Sequence, residues 1–514
     1  MKYISTNRTI IVLLSFAVGM LFAQLAFAQI DLSSDRNGEM DRIENLGGFE
    51  VAKGRLLMTV SKPLSEADIS TLEKALRKKD KLGVVERIGP ATATTYVVHG
   101  GGTTRSLLTI LEEVRDETGF LTERGIDVTI EPDYVVRSVP DLSLPRLVDD
   151  CPPDISWGPE KIRANEAWEE VSSIPGPETI VAVLDHGFCS HPDLNGHLWK
   201  APAPFKVSMK TSEGTLEKIC PKGTHGVNFM AVTADQLCDP VDKVDGHGTK
   251  ALGVIGAVGK VNGVNRNAIL LPIKVLNEYG DDNAGELSAT LRAWEFIAEI
   301  NRTFYGSVRA SRGIVIVNHS YGFKEFPPNL LALTSNVQNS DRDGLLLIAS
   351  AGNNSSGDDA RSFLEEDLRF PASINFPNVI AVASTNSKDM IDQFTSIGPK
   401  TVDLAAPGQA CTTALNNRYD VFSFTSAAAA FVSGTASLLL SACPELNQRQ
   451  IKTYLEETAN DNNGILTKFI LNGRVDALAS VRSCRSREKF IFENIFTRSV
   501  IKRRDPFVDL NRGG

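Results

Sequence analysis

The 514-residue chain lacks the motifs by which several large enzyme classes are usually identified. No GxGxxG follows its first strand-like apolar run, and no GxxxxGKS/T occurs, so neither a dehydrogenase nor a nucleoside triphosphatase is supported. No CxxC pair or Cys/His cluster offers a set of zinc ligands. The formal net charge of −9 argues against a nucleic-acid partner.

Long hydrophobic runs are equally scarce, and the one that stands out lies near the N-terminus. Lys2 and Arg8 precede the apolar run 10–22, and the small-x-small cleavage site 26–28 follows it. This arrangement predicts a secretory signal peptide, residues 1–28, and export to the extracellular space or the periplasm. The alternative is an uncleaved membrane anchor, but the run is short for a span. No later run is long and apolar enough to cross a bilayer, so we expect no stable membrane insertion.

Cysteine is also rare, with seven residues in the whole chain, and all seven follow the predicted cleavage site. Export permits disulfides, and an odd number leaves at least one thiol unpaired. Cys220 and Cys238 lie in one stretch between the later motifs, and we predict that they pair. The alternative is that several cysteines are simply small buried hydrophobic residues.

Residues 29–139 have the pattern of a small α+β unit. Alternating and helix-periodic apolar positions predict the order strand, helix, strand, helix, strand over residues 55–60, 65–79, 94–98, 104–115 and 128–134. That order fits a ferredoxin-like module, and an α+β domain of another kind is the alternative.

Two later segments place an aspartate and a histidine at positions where catalytic residues are common. Residues 179–184 are β-branched and apolar, which is typical of a buried parallel strand, and Asp185 follows at what should be the carboxyl edge of a sheet. Gly246 and Gly248 flank His247 and permit close approach of the backbone. The small and apolar residues that follow predict that His247 begins a buried helix.

A third segment supplies a serine. Ser426 precedes the small and apolar run 427–440, so its hydroxyl should lie at a helix N-terminus, where a developing anion is stabilised. A serine attacks a carbonyl only when an imidazole takes its proton and a third group orients that imidazole. Asp185, His247 and Ser426 are the residue types for that task.

In this chain order the three segments resemble the signature blocks of the subtilisin-like (subtilase) serine peptidases, from about residue 154 to about residue 481. The apolar run that ends in Asn353 resembles the family's oxyanion segment, which implies that the Asn353 amide donates to the oxyanion. Gly285 and the segment Ser320-Tyr321-Gly322 resemble the two segments that pair with the substrate backbone.

The resemblance implies a fold, a domain order and partners. We expect an α/β fold, a mostly parallel sheet with helices on both faces, in a peptidase domain 140–484, followed by a tail 485–514. The unit 29–139 resembles a subtilase propeptide, which implies an intramolecular inhibitor and processing near Val139. Protein or peptide substrates are the other implied partners. No cofactor is required, and although calcium often stabilises subtilases, the short loop 259–264 lacks the ligand pattern, so we assign no metal site.

Four residues depart from the family pattern. Phe424 stands where glycine usually precedes Thr-Ser, Ala430 and Phe431 replace Pro-His, and His186 replaces the usual Thr or Ser after the aspartate. These departures motivate a second hypothesis, a catalytically degenerate subtilase that acts as a binding module. An esterase on the same triad is a third. We interpret His186 as a structural or surface residue.

One long insertion and one histidine complete the predictions. Residues 196–242 exceed what the family core needs between Asp185 and His247, and their composition predicts a surface loop that decorates the peptidase or shapes its cleft. His319 follows an apolar run, and we expect a satisfied core histidine there.

Overall fold

The computed structural model describes residues 43–487 except 47–48, 80–82, 101–105, 139–147, 149–150, 153–154, 174–175, 212–213, 244–245, 280–281, 307–312, 325–330, 355–363 and 365–367. The predicted signal peptide, the processing point near Val139 and nearly all of the predicted tail lie outside the described residues.

The N-terminal unit is an antiparallel sheet with helices packed on it. Its strands are β1 (Ile43–Leu46), β2 (Phe49–Val60), β3 (Gly83–Ile88), β4 (Thr95–Gly100) and β5 (Val128–Ser138), and its helices are α1 (Glu66–Lys79), α2 (Leu107–Glu117) and α3 (Gly119–Glu123). The strand order β5-β2-β4-β3, with one helix after β2 and another after β4, is the ferredoxin-like arrangement expected from the sequence. The prediction missed β3, a short strand with little alternation in burial.

The second unit is built on an eight-stranded sheet, and among the described residues all of its neighbouring strands pair in parallel. In sheet order its strands are β21 (Gly473–Arg474), β18 (Leu404–Pro407), β17 (Val379–Thr385), β15 (Leu346–Ser350), β13 (Ile314–His319), β6 (Thr179–Asp185), β10 (Ala268–Lys274) and β9 (Val227–Asn228). Parallel strands need crossover connections, and the helices of this unit supply them.

The remaining elements cover this sheet and its edges. The helices are α4 (Gly158–Lys161), α5 (Ala164–Ser172), α6 (His247–Gly256), α7 (Leu287–Ile300), α8 (Leu331–Arg342), α9 (Phe424–Ala442) and α10 (Gln448–Glu457), with further helix at 477–487. The other strands are β7 (Phe205–Thr211), β8 (Gly214–Cys220), β11 (Asn277–Tyr279), β12 (Asp282–Glu286), β14 (Tyr321–Lys324), β16 (Arg369–Phe370), β19 (Gln409–Thr413) and β20 (Tyr419–Ser423). Short turns of other helix types occur at Ala234–Cys238, Asn301–Tyr305, Leu415–Asn417 and Leu466–Lys468.

Helices cover both faces of the parallel sheet, as expected. Along β6 the side chains of Val181 and Val183 pack into one core cluster with α6 and α9, whereas those of Ala182 and Leu184 pack into another with α7. Successive strand residues point to opposite faces, so a strand buried on both sides must be apolar throughout.

Helix α9 runs through one of these cores. Every residue from Thr425 to Ser441 is buried. Our expectation that no later run is long and apolar enough to cross a bilayer is wrong for this helix, which alone among the described residues meets that test; 94% of its most apolar window is buried inside the protein, which identifies it as a core helix. Small side chains allow close packing here: a Cβ on Gly434 would lie 2.7 Å from the side chain of Val264.

The chain has three disulfides, Cys151–Cys411, Cys220–Cys238 and Cys443–Cys484, with sequence separations of 260, 18 and 41. The predicted pair Cys220–Cys238 is confirmed, and Cys189 is the remaining thiol. The region 196–242 that contains this pair is not the loop we predicted, because β7 and β8 form a regular hairpin within it.

We expect removal of the Cys443–Cys484 disulfide to destabilise the second unit. Both sulfurs belong to fully buried residues, and the bridge closes a segment with a sequence separation of 41. Alanine at both positions should lower the free energy of unfolding by about 2–4 kcal/mol, measured by urea denaturation of the full chain carrying Ser426→Ala, which removes the expected nucleophile. Cys189→Ala is the matched control and should change little. A double variant as stable as that control would contradict the prediction.

Candidate active site

The three predicted residues meet at the carboxyl edge of the parallel sheet. Asp185 ends β6, His247 is the first residue of α6, and Ser426 lies in the first turn of α9. His247 Nδ1 is 2.9 Å from each carboxylate oxygen of Asp185, and His247 Nε2 is 3.2 Å from Ser426 Oγ. All three side chains are buried. An imidazole so placed can accept the serine proton at Nε2 while its Nδ1–H donates a hydrogen bond to the Asp185 carboxylate.

Glycine is required where α6 approaches the end of β6. A Cβ on Gly248 would lie 2.2 Å from the carbonyl oxygen of Gly187, so only glycine permits this contact. Gly246 has φ of 76°, a left-handed conformation that reverses the chain immediately before His247. The two glycines that flank His247 therefore set its distance from Asp185.

Phe424 preserves the turn that precedes Ser426. Its φ is 60°, which is the left-handed region that favours glycine, and its backbone N–H donates to the Gly408 carbonyl at 2.7 Å. Its ring packs edge-to-face on Phe394, with the centroids 5.6 Å apart. Phe424 thus adopts the left-handed backbone conformation that glycine favours. This conformation is unfavourable for a residue with a side chain, and the ring contact with Phe394 offsets part of the cost.

Asn353 lies next to the residue that precedes the serine. Its side-chain oxygen accepts hydrogen bonds from the Thr425 backbone N–H at 3.2 Å and from Thr425 Oγ1 at 2.7 Å. These two bonds fix the orientation of the amide, with Oδ1 turned towards Thr425 and the NH2 group as the donor end.

Our interpretation of His186 as a structural or surface residue missed its contact with the site. His186 is fully buried, and both its backbone N–H, at 2.8 Å, and its Nδ1, at 3.0 Å, lie against Asp185 Oδ1. Lys274 Nζ donates to the His186 carbonyl at 2.9 Å. Position next to Asp185 was the available signal, but the sequence did not show that the ring turns inward.

The carboxylate of Asp185 therefore has two imidazole neighbours. Burial alone would raise its pKa, but the interactions with His247 and His186 outweigh that effect and hold the pKa well below its usual range. Ligand atoms of these three residues lie within 4.8 Å of one another, a spacing that a metal ion could also use. The hydrogen bonds to Asp185 account for the arrangement.

The predicted substrate-pairing segments flank a strand of the N-terminal unit. Strand β5 lies between β12 and β14 and is antiparallel to both. Gly285 pairs with Val136, and the register of β14 places Tyr321 opposite Ser138 and Gly322 opposite Arg137. The two peptidase segments therefore form a slot one strand wide, and β5 fills it.

Ser320 connects this slot with the serine. Its Oγ donates to the Ser426 carbonyl at 3.0 Å, and its own carbonyl lies 3.1 Å from Ser426 Oγ. The Tyr321 side chain is buried, with its hydroxyl 2.9 Å from Thr290 Oγ1, so Tyr321 offers its backbone to the slot.

His319 is a buried core residue, as expected, but it is satisfied at only one ring nitrogen, because its buried Nδ1 has no hydrogen-bond partner among the described residues. Its Nε2 accepts from Trp294 Nε1 at 2.8 Å, and burial lowers its pKa to about 3, so the ring is neutral at physiological pH.

The order of the site residues and the parallel sheet agree with the comparison to known families. The model of the subtilase family matches residues 176–472, which is more than half of the chain. The chain belongs to the subtilase family. The match includes Asp185, His247, Asn353 and Ser426.

Curated relatives are 26–30% identical to this subtilase over the aligned residues. Subtilisin-like protease 1 of Plasmodium berghei is 26% identical over 65% of this chain and 54% of its own length. The major intracellular serine protease of Bacillus subtilis is 28% identical over 62% of this chain and 84% of its own. Subtilisin DY of Bacillus licheniformis is 30% identical over 42% of this chain and 71% of its own. The match spans about half of the first relative and 19% of subtilisin-like protease 2 of Plasmodium falciparum.

The conformation of Phe424 yields a prediction on stability. Phe424→Gly and Phe424→Ala both lose the ring contact with Phe394, but only alanine keeps a Cβ in the left-handed region. We expect the glycine variant to be more stable than the alanine variant by about 1 kcal/mol, because the left-handed penalty exceeds the entropic cost of glycine. Urea denaturation of both in the Ser426→Ala chain measures the difference. An alanine variant of equal or greater stability would show that position 424 carries no backbone strain.

Proposed function

We propose that this subtilase is a serine endopeptidase that hydrolyses peptide bonds of proteins through an acyl-enzyme. The observation that carries the proposal is the hydrogen-bonded series Asp185–His247–Ser426. Ser426 Oγ attacks the scissile carbonyl carbon while its proton passes to His247 Nε2. The C–N bond of the tetrahedral adduct then breaks, and His247 gives the proton to the leaving amine. Water repeats the two steps on the ester and releases the acid.

Charge stabilisation is assigned to groups around the serine. Asp185 keeps His247 in the tautomer with a proton on Nδ1 and stabilises the imidazolium that forms. Asn353 and the backbone N–H of Ser426 hold the oxyanion, and loss of one such donor in a serine peptidase costs roughly a hundredfold or more in turnover. This chemistry requires no cofactor. The loop 259–264 binds a carboxylate of the chain instead: Asp193 accepts from the Val261 N–H at 3.1 Å.

A substrate would pair with the same two strands, β12 and β14, that pair with β5. An extended peptide would join β12 and β14 as an added strand, with backbone hydrogen bonds to Gly285, Ser320 and Gly322 and with its scissile carbonyl at Ser426. The occupancy of this slot by a strand supports a peptide substrate over a simple ester.

The same contact supports the role of residues 29–139 as an intramolecular inhibitor. Besides β5 in the slot, Asp133 accepts from the Ser288 N–H at 2.9 Å and from Ser288 Oγ at 2.7 Å, at the start of α7. Glu131 accepts from the Ala332 N–H at 3.0 Å, at the start of α8. Side-chain oxygens at helix N-termini satisfy free N–H groups of the first turn. We propose that the unit blocks substrate until the chain has been cut beyond Ser138 and the unit has dissociated.

Export remains part of the proposal. Three disulfides favour an oxidising compartment, in agreement with the signal peptide expected at residues 1–28.

A binding-only subtilase is the second candidate, and the departures at Phe424, Ala430 and Phe431 favour it. The left-handed Phe424 weakens that case, because the serine keeps its place beside His247. Ala430 and Phe431 are buried within α9, away from the hydrogen bonds of the three site residues.

Intact mass of the secreted protein tests the peptidase proposal. Wild type and Ser426→Ala are each treated with a fluorophosphonate, which reacts with an activated serine. Wild type should lose the N-terminal unit and gain one adduct, whereas the variant should do neither. If both folded proteins remain at full length and unlabelled, the peptidase proposal fails and the binding module takes its place.

A further inference from the structure

The hairpin β7–β8 packs against the N-terminal unit, outside the substrate slot. The Lys210 backbone N–H donates to Glu86 Oε1 at 3.1 Å. The Lys210 ammonium donates to the Val85 carbonyl at 2.8 Å and lies 3.3 Å from Glu73 Oε1. One residue of the peptidase hairpin thus contacts both α1 and β3 of the N-terminal unit.

Glu86 links this contact to the helix that begins at the slot. Arg292 of α7 lies with its Nε 3.2 Å from each carboxylate oxygen of Glu86, and both residues are buried. Burial would raise the pKa of Glu86, but Arg292 and His99 lower it to about 2, so the carboxylate is ionised at neutral pH. An ionised buried carboxylate needs its partners, and here Arg292 and the Lys210 N–H come from the peptidase unit, whereas His99 belongs to the N-terminal unit.

The hairpin is held rigidly on the peptidase side. Phe205, Val207 and Met209 of β7 are buried, and Phe205 packs against Phe296 of α7 with the centroids 5.7 Å apart. The Cys220–Cys238 disulfide ties the end of β8 to the following turn. Lys210 is therefore presented from a preformed surface, which lowers the entropic cost of the contact.

Substrate cannot use this surface. A peptide in the slot is a single extended strand, whereas Glu73 and Glu86 belong to a helix and another strand of a folded unit. Contacts at the hairpin therefore add to the affinity for the N-terminal unit without changing the affinity for substrate.

We propose that the hairpin β7–β8 is a second docking surface for the chain's own N-terminal unit, recognising the acidic pair Glu73 and Glu86 through Lys210 and Arg292. The surface retains the unit after the connecting segment is cut, and it makes the unit a stronger competitor for the slot than β5 alone. The retention role rests on the proposed inhibitor function, whereas the docking contact itself does not require catalysis.

The test uses the full chain with Ser426→Ala and with a recognition sequence for a site-specific protease placed in the segment 139–147. After that protease has cut, the dissociation rate of the N-terminal unit is measured by size-exclusion chromatography over time. Lys210→Glu should speed dissociation roughly tenfold or more, because it places a third carboxylate beside those of Glu73 and Glu86. Lys206→Glu is the matched control: it lies on the same strand, is exposed and pairs with Glu217 inside the hairpin. The dissociation rate of the N-terminal unit from the Lys206→Glu chain should stay within about twofold of the parent's rate.

A charge-reversal variant distinguishes loss of the ion pair from misfolding of the hairpin. Adding Glu73→Lys to Lys210→Glu should recover part of the lost retention. Equal dissociation from the Lys210→Glu and Lys206→Glu chains would overturn the proposal, as would a Lys210→Glu effect that the reversal leaves unchanged in a folded protein.

Chains with an intact Ser426 separate the docking proposal from the peptidase proposal. There, Lys210→Glu should shorten the lag before hydrolysis of a short fluorogenic peptide, with kcat/KM after release within about twofold of wild type. If no hydrolysis occurs in any chain while the dissociation rates still differ, the docking surface stands and the peptidase proposal fails.

Discussion

The packing of α9 against the parallel sheet is the constraint on which the site depends. The helix is buried along its length, so its N-terminus cannot move independently of the strands that it crosses. Because β6 ends at Asp185 on the same edge, burial of the helix also fixes the distance between the serine and the carboxylate. His247 completes the arrangement from a third buried element, α6. A close-packed interior transmits even small changes of volume, so the geometry of the site is a consequence of the core.

This rigidity explains how Phe424 is tolerated. A left-handed phenylalanine is unfavourable in isolation, but β20 on one side and α9 on the other leave the chain no other path through position 424. The N–H bond to Gly408 and the ring contact with Phe394 recover part of the cost. Strain of this kind persists where the surrounding structure determines the backbone, and active sites are frequent examples.

Much of the fold and most of the site could be predicted from the sequence, because these features depend on local patterns. The apolar run before Asp185 and the small residues after Ser426 identify a buried strand and a buried helix without any tertiary information. The hairpin β7–β8 was missed although its pattern is local. Lys206, Ser208 and Lys210 alternate with its buried side chains, which is typical of a half-buried strand, but the composition of the surrounding segment indicated a loop. Its partners are a helix and a strand far away in sequence. The inward turn of His186 and the Cys151–Cys411 pairing likewise depend on the assembled fold.

The two contacts of the N-terminal unit differ in what they recognise. In the slot, β5 uses backbone hydrogen bonds, which any extended chain offers, so the slot alone cannot distinguish the unit from a substrate at high concentration. The Glu86 carboxylate lies on β3, outside the strand in the slot, and meets Arg292 and the Lys210 N–H. These contacts require a folded unit with groups at fixed positions. Discrimination between the proposed inhibitor and a substrate therefore arises from contacts placed around the slot, and an unfolded N-terminal unit would lose it even with the β5 sequence intact.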